Sequence, residues 1–295
     1  MNVFNTIINN SDSVSLNKYG IIPDEKTKFL YKNIHESFKN DAGTDIYNHK
    51  ILQYLIIKSL NNKEYIGTNY GGWFVPNNIL DKNSICYCAG FSKDSSFELG
   101  LISEYNCYVN ILDPLPKAYS NYHSLISFIE NRINVNDNVD GYEFWNNIFQ
   151  KDILDLSKLS FVKYGIYDDD TKISLNININ KNSSFVEHVN VDVKKIQSIM
   201  YLLKHNKIDL LKLNVGDNAC KILNSVLSDG IYPKILCIEF SEFSNYDEAS
   251  IQIDTENYFN NLKTFCSLID TLNSNGYKLL DDSRKGKMTF VSKFC

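Results

Sequence analysis

The stretch ICYCAGFSKDSSFE, residues 85–98, passes from a short apolar run through a glycine into a helical pattern. The apolar run, Ile85 to Phe91, has the length of a buried strand, and a helix is predicted over Ser96 to Tyr105. Strand, glycine-containing loop and helix in this order are typical of the first unit of an α/β sheet.

Apolar runs of strand length alternate with helical patterns over the residues that follow. The predicted strands are Cys107 to Leu112, Phe161 to Ile166, Ile208 to Val215 and Ile235 to Phe240, and the predicted helices are Ser124 to Ile133, Val193 to His205, Ala219 to Leu227 and Asn257 to Ser274. Thr171 to Ile179 alternates apolar and polar residues, as a half-exposed antiparallel strand does. Tyr277 to Leu280 and Lys287 to Val291 predict a terminal hairpin. The whole pattern predicts a mostly parallel sheet with helices on both faces.

Residues 1–64 differ from this pattern and are predicted to form an N-terminal helical extension. Lys26 to Phe38 and His49 to Leu60 have apolar residues at helical spacing. Residues 65–295 are predicted to form one α/β domain.

Composition excludes several classes of protein. The net charge of -5 argues against a dedicated nucleic-acid binder, which needs an excess of Lys and Arg. No apolar run approaches the roughly 20 residues of a membrane helix, and Met1 to Asn10 lacks the pattern of a secretory signal. The seven cysteines are an odd number, and several lie in strand-like segments, which predicts reduced thiols in a cytoplasmic protein. Their spacing predicts no metal site. The oligomeric state stays open.

Ligands of open α/β sheets bind beyond the carboxyl ends of the strands, so functional residues are expected at those ends. Gly90 can let the backbone approach a ligand, and Ser92 to Ser96 lie at a helix N-terminus that favours a carboxylate. Asp113 ends the second strand about twenty residues on, where an acidic residue can accept hydrogen bonds from ribose hydroxyls. Both segments also fit plain turns, capped by Asp94 or Ser96 and by Asp113.

Six segments in order resemble the FkbM-type family of class I, S-adenosylmethionine-dependent methyltransferases. They are Tyr70 to Pro76, Gly90 to Glu98, Ile111 to Pro116, Tyr164 to Asp168, Ile208 to Leu213 and Cys237 to Phe240. The resemblance spans residues 65–292. It implies a Rossmann-like, seven-stranded sheet with a terminal antiparallel hairpin, and S-adenosylmethionine as cofactor.

The resemblance also implies where the cofactor lies. The methionine carboxylate is expected at Gly90 to Ser96, the ribose at Asp113 and the adenine near Tyr164 to Ile166. Ser92 stands where the family has a second loop glycine. The implied cofactor-binding residues are Cys88, Ala89, Gly90, Ser92, Asp94, Ser96, Phe97, Asp113, Pro114, Tyr164, Gly165 and Ile166.

The catalytic segment departs from the family. Where the family has an Asp-x-Glu-Gly-x-Glu-like motif, this chain has NVGDNA at residues 214–219, and only Asp217 keeps a carboxylate. Methyl transfer to a hydroxyl needs a base or a metal, and Asn214 can only orient an acceptor. The predicted base is Glu239, with Asp217, Glu242 and His188 as alternatives. Glu239 equally fits a partner of Lys212 or of a backbone N–H.

The predicted acceptor side has two aromatic residues, Tyr70 and Trp73, which could form the wall of a sugar pocket or pack against the domain. The predicted function is O-methylation of a glycan or another small hydroxyl acceptor. The alternative is a methyltransferase-fold pseudoenzyme that serves as a binding or scaffolding module. A dehydrogenase is disfavoured, because the dinucleotide loop G-x-G-x-x-G is incomplete.

Overall fold

The computed structural model describes residues 63–131, 154–178, 186–240, 264, 267–282 and 287–293. The predicted helical extension lies outside these residues except for Lys63 and Glu64, which belong to a strand. Among the described residues, no helix is both long and apolar enough to cross a membrane.

Seven strands form the central sheet. In chain order they are β3 (Ile85–Ala89), β4 (Tyr108–Leu112), β5 (Leu159–Val162), β9 (Leu210–Leu213), β10 (Ile235–Glu239), β11 (Tyr277–Asp282) and β12 (Lys287–Ser292). Their order across the sheet is β11-β12-β10-β9-β3-β4-β5. The five strands from β10 to β5 are parallel, whereas β12 is antiparallel to both of its neighbours. The predicted seven-stranded, mostly parallel sheet with a terminal hairpin is thus confirmed.

Helices cover both faces of this sheet. The described ones are α1 (Ser96–Tyr105), α2 (Pro116–Asn131), α3 (Ile196–Leu203), α4 (Ala219–Ser228) and a helical segment at 267–274. One apolar core contains residues of α1 and α2, and the other contains residues of α3, α4 and 267–274. Successive strand residues enter opposite cores, as the pleat requires.

Two smaller sheets flank the central one. A hairpin joins β1 (Lys63–Ile66) to β2 (Trp73–Pro76), and β6 (Gly165–Ile166), β7 (Thr171–Asn178) and β8 (Val186–Lys194) form a three-stranded sheet in the order β6-β8-β7. The hairpin was not predicted, because the glycine-rich turn at residues 67–72 separates the short strand β1 from β2.

Three predicted boundaries were wrong for identifiable reasons. The helix predicted from Val193 starts at Ile196, because VNVDVK (residues 189–194) alternates with period two and belongs to β8. The helix predicted from Ser124 starts at Pro116, since proline suits the first turn of a helix. The single strand predicted over Phe161 to Ile166 is divided between β5 and β6, which belong to different sheets.

Candidate functional site

Polar residues from adjacent strands meet at the carboxyl edge of the central sheet. The registers pair Ala89 with both Leu112 and Leu213, and Leu213 with Ile238. The next residue of each strand therefore falls in one row, and Glu239 is itself paired with Lys287 on β12. We call this set the edge row; it contains Asp113, Gly90, Asn214, Glu239 and Lys287.

Gly90 stands at the centre of the edge row with a positive φ of 82°. A Cβ atom at this position would lie 1.9 Å from the carbonyl oxygen of Asn214. No side chain fits that distance, so the sheet itself requires glycine here. The close contact at Gly90 is with the backbone of the neighbouring strand.

Asp113 is a buried carboxylate, 5% exposed. Its Oδ2 accepts a hydrogen bond from the Phe91 N–H at 2.8 Å, and its Oδ1 accepts one from the Leu115 N–H at 2.9 Å. Burial raises the pKa of Asp113 above its ordinary value, although these two bonds and the nearby Lys212 oppose the rise. The Asp-Pro turn is therefore present, and each carboxylate oxygen still has a lone pair to offer.

The N-terminus of α1 is contacted by the turn of the β1–β2 hairpin. Asp94 accepts hydrogen bonds from the Ser96 N–H at 2.9 Å and from the Thr68 hydroxyl. Ser96 Oγ accepts a bond from the Thr68 N–H at 2.8 Å. The exposed Ser92 accepts a weaker bond from the Asp94 N–H at 3.3 Å. Asp94 thus caps α1 from within the chain and already accepts the hydrogen bond of the Ser96 N–H.

A buried ion pair lies beneath the edge row. Ser95 and Glu98 have the spacing of a capping box, yet Ser95 makes no side-chain cap bond. Glu98 Oε1 instead accepts a hydrogen bond from Lys212 Nζ at 2.6 Å. Burial opposes the charge of Lys212, but the Glu98 carboxylate outweighs it and holds the pKa of the lysine above its ordinary value. The ion-pair role considered for Lys212 is confirmed, with Glu98 as the partner, and Ser95 Oγ is left buried without a hydrogen-bond partner among the described residues.

The remaining predicted cofactor residues divide into two groups. Cys88, Ala89 and Phe97 are buried in the cores, so their side chains serve packing. Pro114 and Gly165 come together from separate segments: a Cβ at Gly165 would lie 3.1 Å from Pro114 Cγ. Ile166 is buried beside them in β6, and the half-buried ring of Tyr164 lies 5.0 Å from Lys194 Nζ. These two segments therefore form one wall next to Asp113.

The predicted catalytic residues occupy different places. Asn214 is exposed in the edge row, and Asp217 is exposed in a short 3-10 turn just beyond it. Glu239 is half-buried in the edge row. His188 is exposed in β8, five residues from the end that pairs with β6, or about 16 Å along the strand. Three candidates thus lie at the edge and one does not, while Glu242 lies outside the described residues.

The two predicted acceptor residues differ sharply in exposure. Tyr70 is 72% exposed at the hairpin turn, whereas Trp73 is 1% exposed and packs against Phe97 with ring centroids 6.5 Å apart. Trp73 therefore has the packing role that the sequence left open.

Sequence reasoning missed Lys287, which it treated as the first residue of a predicted hairpin strand. Lys287 is half-buried, and its Nζ donates a hydrogen bond to the Tyr70 carbonyl at 2.7 Å and lies 5.1 Å from the Trp73 ring centroid. Burial lowers the pKa of Lys287. The alternation of β12 places Lys287 on the same face as Thr289, and that was the available signal.

The fold and the edge row define an α/β protein with a row of polar residues at the carboxyl edge of a mostly parallel sheet. Comparison with protein-family models and with the sequences of curated proteins finds no match. Within the described part of the chain, no group of three or more His, Cys, Asp or Glu side chains is placed to hold a metal ion.

Proposed function

We propose that the chain binds S-adenosylmethionine at the edge row and methylates a hydroxyl group of a glycan or another small acceptor. The observation that carries this proposal is the alignment of Asp113, Gly90, Asn214 and Glu239 at the sheet edge where α/β proteins bind ligands. The reversed β12 between β10 and β11 adds support, since the family resemblance implies such a terminal hairpin.

Two buried polar groups fit the cofactor. Asp113 is held in one orientation by the Phe91 and Leu115 N–H groups, and its remaining lone pairs can accept bonds from two ribose hydroxyls. Ser95 Oγ, 0% exposed and without a partner among the described residues, can bond a polar group of the methionine end near the start of α1. When bound, S-adenosylmethionine supplies an electrophilic methyl group.

The other end of the edge row supplies the acceptor side. The exposed amide of Asn214 can orient a hydroxyl by hydrogen bonding, and the exposed ring of Tyr70 offers a face on which a sugar can pack. Glu239 is the carboxylate in this row nearest to Asn214 in register, so we assign to it the proton that the acceptor hydroxyl loses.

Calorimetry tests cofactor binding. The Asp113→Ala variant should bind S-adenosylmethionine more weakly by about 1–3 kcal/mol, because the ribose hydroxyls lose their acceptor. Asp81→Ala is the matched control: Asp81 also holds a turn, accepting from the Asn83 N–H at 2.8 Å, but it precedes β3 at the opposite edge. Equal affinities in both variants and the parent would show that Asp113 is not the ribose site, and no binding by the parent would overturn the proposal.

A catalytically silent binding module is the second candidate. It is favoured by Asn214 and Gly216, which stand where the family resemblance places carboxylates. Transfer of a labelled methyl group to a panel of hydroxyl acceptors separates the two candidates. If the parent is silent, Asn214→Asp is the variant to test. A side chain at Gly216 would be strained, because φ there is 63°.

A further inference from the structure

Lys287 connects two parts of the molecule that are distant in sequence. It is paired in register with Glu239, at the end of β10. Its ammonium donates a 2.7 Å hydrogen bond to the carbonyl of Tyr70, in the turn of the β1–β2 hairpin, 217 residues earlier. The same ammonium lies 5.1 Å from the centroid of the buried Trp73 ring, close enough for a cation–π interaction.

We infer that Lys287 is a positioning residue that fixes the β1–β2 hairpin turn against Glu239, so that hairpin and edge row form one acceptor site. The inference rests on the proposed function. In this arrangement Tyr70 and Glu239 are the two sides of the acceptor site, and Lys287 holds them at a fixed separation without touching the reacting atoms. The acceptor is thus recognised by its hydroxyl and its ring face together.

The charges around Lys287 come from four elements. Burial and the ammonium of Lys212 on β9 lower its pKa, whereas three carboxylates raise it: Glu239 on β10, Asp94 in the loop after β3 and Glu98 on α1. The positive charge of Lys287 is therefore maintained by acidic neighbours in a site that disfavours charge. Loss of Glu239 should lower the pKa of Lys287 further.

Two variants at this position and one control isolate the role. Lys287→Met removes the charge with a similar shape, Lys287→Arg keeps it, and Lys278→Met changes an exposed lysine of β11. In a Trp145→Phe background, Trp73 is the sole tryptophan. We expect Lys287→Met to change the emission of Trp73, and Lys287→Arg and Lys278→Met to leave it near the parent value.

A second measurement tests the coupling to Glu239. With ¹³C at the lysine ε carbons, the signal absent from both Lys287→Met and Lys287→Arg reports the titration of Lys287. We expect its midpoint below the ordinary lysine value, and lower again in Glu239→Gln. An unchanged Trp73 emission in Lys287→Met, or a midpoint that Glu239→Gln does not move, would overturn the inference. If Lys287→Met does not fold, Lys287→Arg still assigns the Lys287 signal, and the titration in Glu239→Gln decides.

Turnover gives the third measurement. Loss of the charged hydrogen bond should raise KM for the acceptor about tenfold or more, with a smaller change in kcat and unchanged affinity for S-adenosylmethionine. Lys287→Arg should restore most of the loss. Equal KM values in parent and Lys287→Met would count against the inference. A parent that binds no S-adenosylmethionine overturns the proposed function alone, because emission and titration test the coupling without cofactor.

Discussion

Two buried aspartates at opposite edges of the central sheet have opposite electrostatic environments. At the amino edge, Asp209 forms ion pairs of 2.9 Å with both Lys207 and Lys234 and accepts a 2.9 Å hydrogen bond from the Ile85 N–H. Burial opposes its charge, but these partners outweigh burial and lower the pKa of Asp209. At the carboxyl edge, Asp113 has two backbone N–H partners, and burial raises its pKa.

The difference separates a carboxylate with a structural role from the one to which we assign the cofactor's ribose. The charge of Asp209 is compensated entirely within the chain, so this group ties β3, β9 and the start of β10 together. The charge of Asp113 is compensated only in part. A ligand that donates hydrogen bonds to Asp113 would stabilise its charge further. We therefore place the proposed site at the carboxyl edge rather than at the amino edge.

The largest expected effect is on folding stability. Asp209→Ala should lower the free energy of unfolding by about 2–3 kcal/mol, since it leaves a backbone N–H and two lysines without their acceptor. Asp113→Ala should cost less, about 1 kcal/mol, because two hydrogen bonds are lost but an unfavourably buried charge is removed as well. Urea unfolding of both variants measures this. A larger loss for Asp113→Ala would reverse the comparison.

The pH dependence of these losses should have opposite signs. The folded-state pKa of Asp209 is lowered, so its contribution is complete above the unfolded value of about 3.9 and is lost as pH falls through the folded value. The folded-state pKa of Asp113 is raised, so its contribution is complete below about 3.9 and is lost as pH rises through the raised value. On acidification, the stability loss caused by Asp209→Asn should therefore shrink and that caused by Asp113→Asn should grow. Urea unfolding from pH 6 to 3 measures both; parallel trends would contradict the assignment.

The smallest expected effect is on the reactivity of the cysteines, which lie in both apolar cores of the sheet. Among the described residues, Cys86, Cys88, Cys107 and Cys237 have free thiols, and these four and Cys220 are buried. Burial raises the pKa of the Cys88 and Cys237 thiols, and the neighbouring Cys107 raises that of Cys86. We expect slow alkylation of the native protein and complete alkylation of all seven after denaturation without reduction, measured by mass spectrometry. Protection of Cys86 and Cys107 alone, whose sulfurs are 3.6 Å apart, would indicate a disulfide between them.

The sequence predicts β3, β4, β9 and β10 well, because buried parallel strands are mostly apolar and each of these four falls within a predicted apolar run. It predicts β8 poorly, because β8 is followed directly by helix α3 and its last residues were included in the predicted helix. The site is predicted in part. Asp113, Asn214 and Glu239 follow directly from strand ends, but the burial of Lys287 depends on a hairpin turn far away in the chain.

The packing around Gly90 bears on which residues would change in a related chain that lost its function. Since the Asn214 carbonyl fills the space of a Cβ at position 90, any other residue there would force β3 and β9 apart at their carboxyl ends. Selection for folding alone would keep this glycine. On the proposed function, a relative that had stopped binding the cofactor would therefore retain Gly90, whereas Asp113, whose loss costs the fold less, would be under weaker constraint. Among relatives of this chain, the aspartate and not the glycine is the residue that would distinguish an active lineage from a silent one.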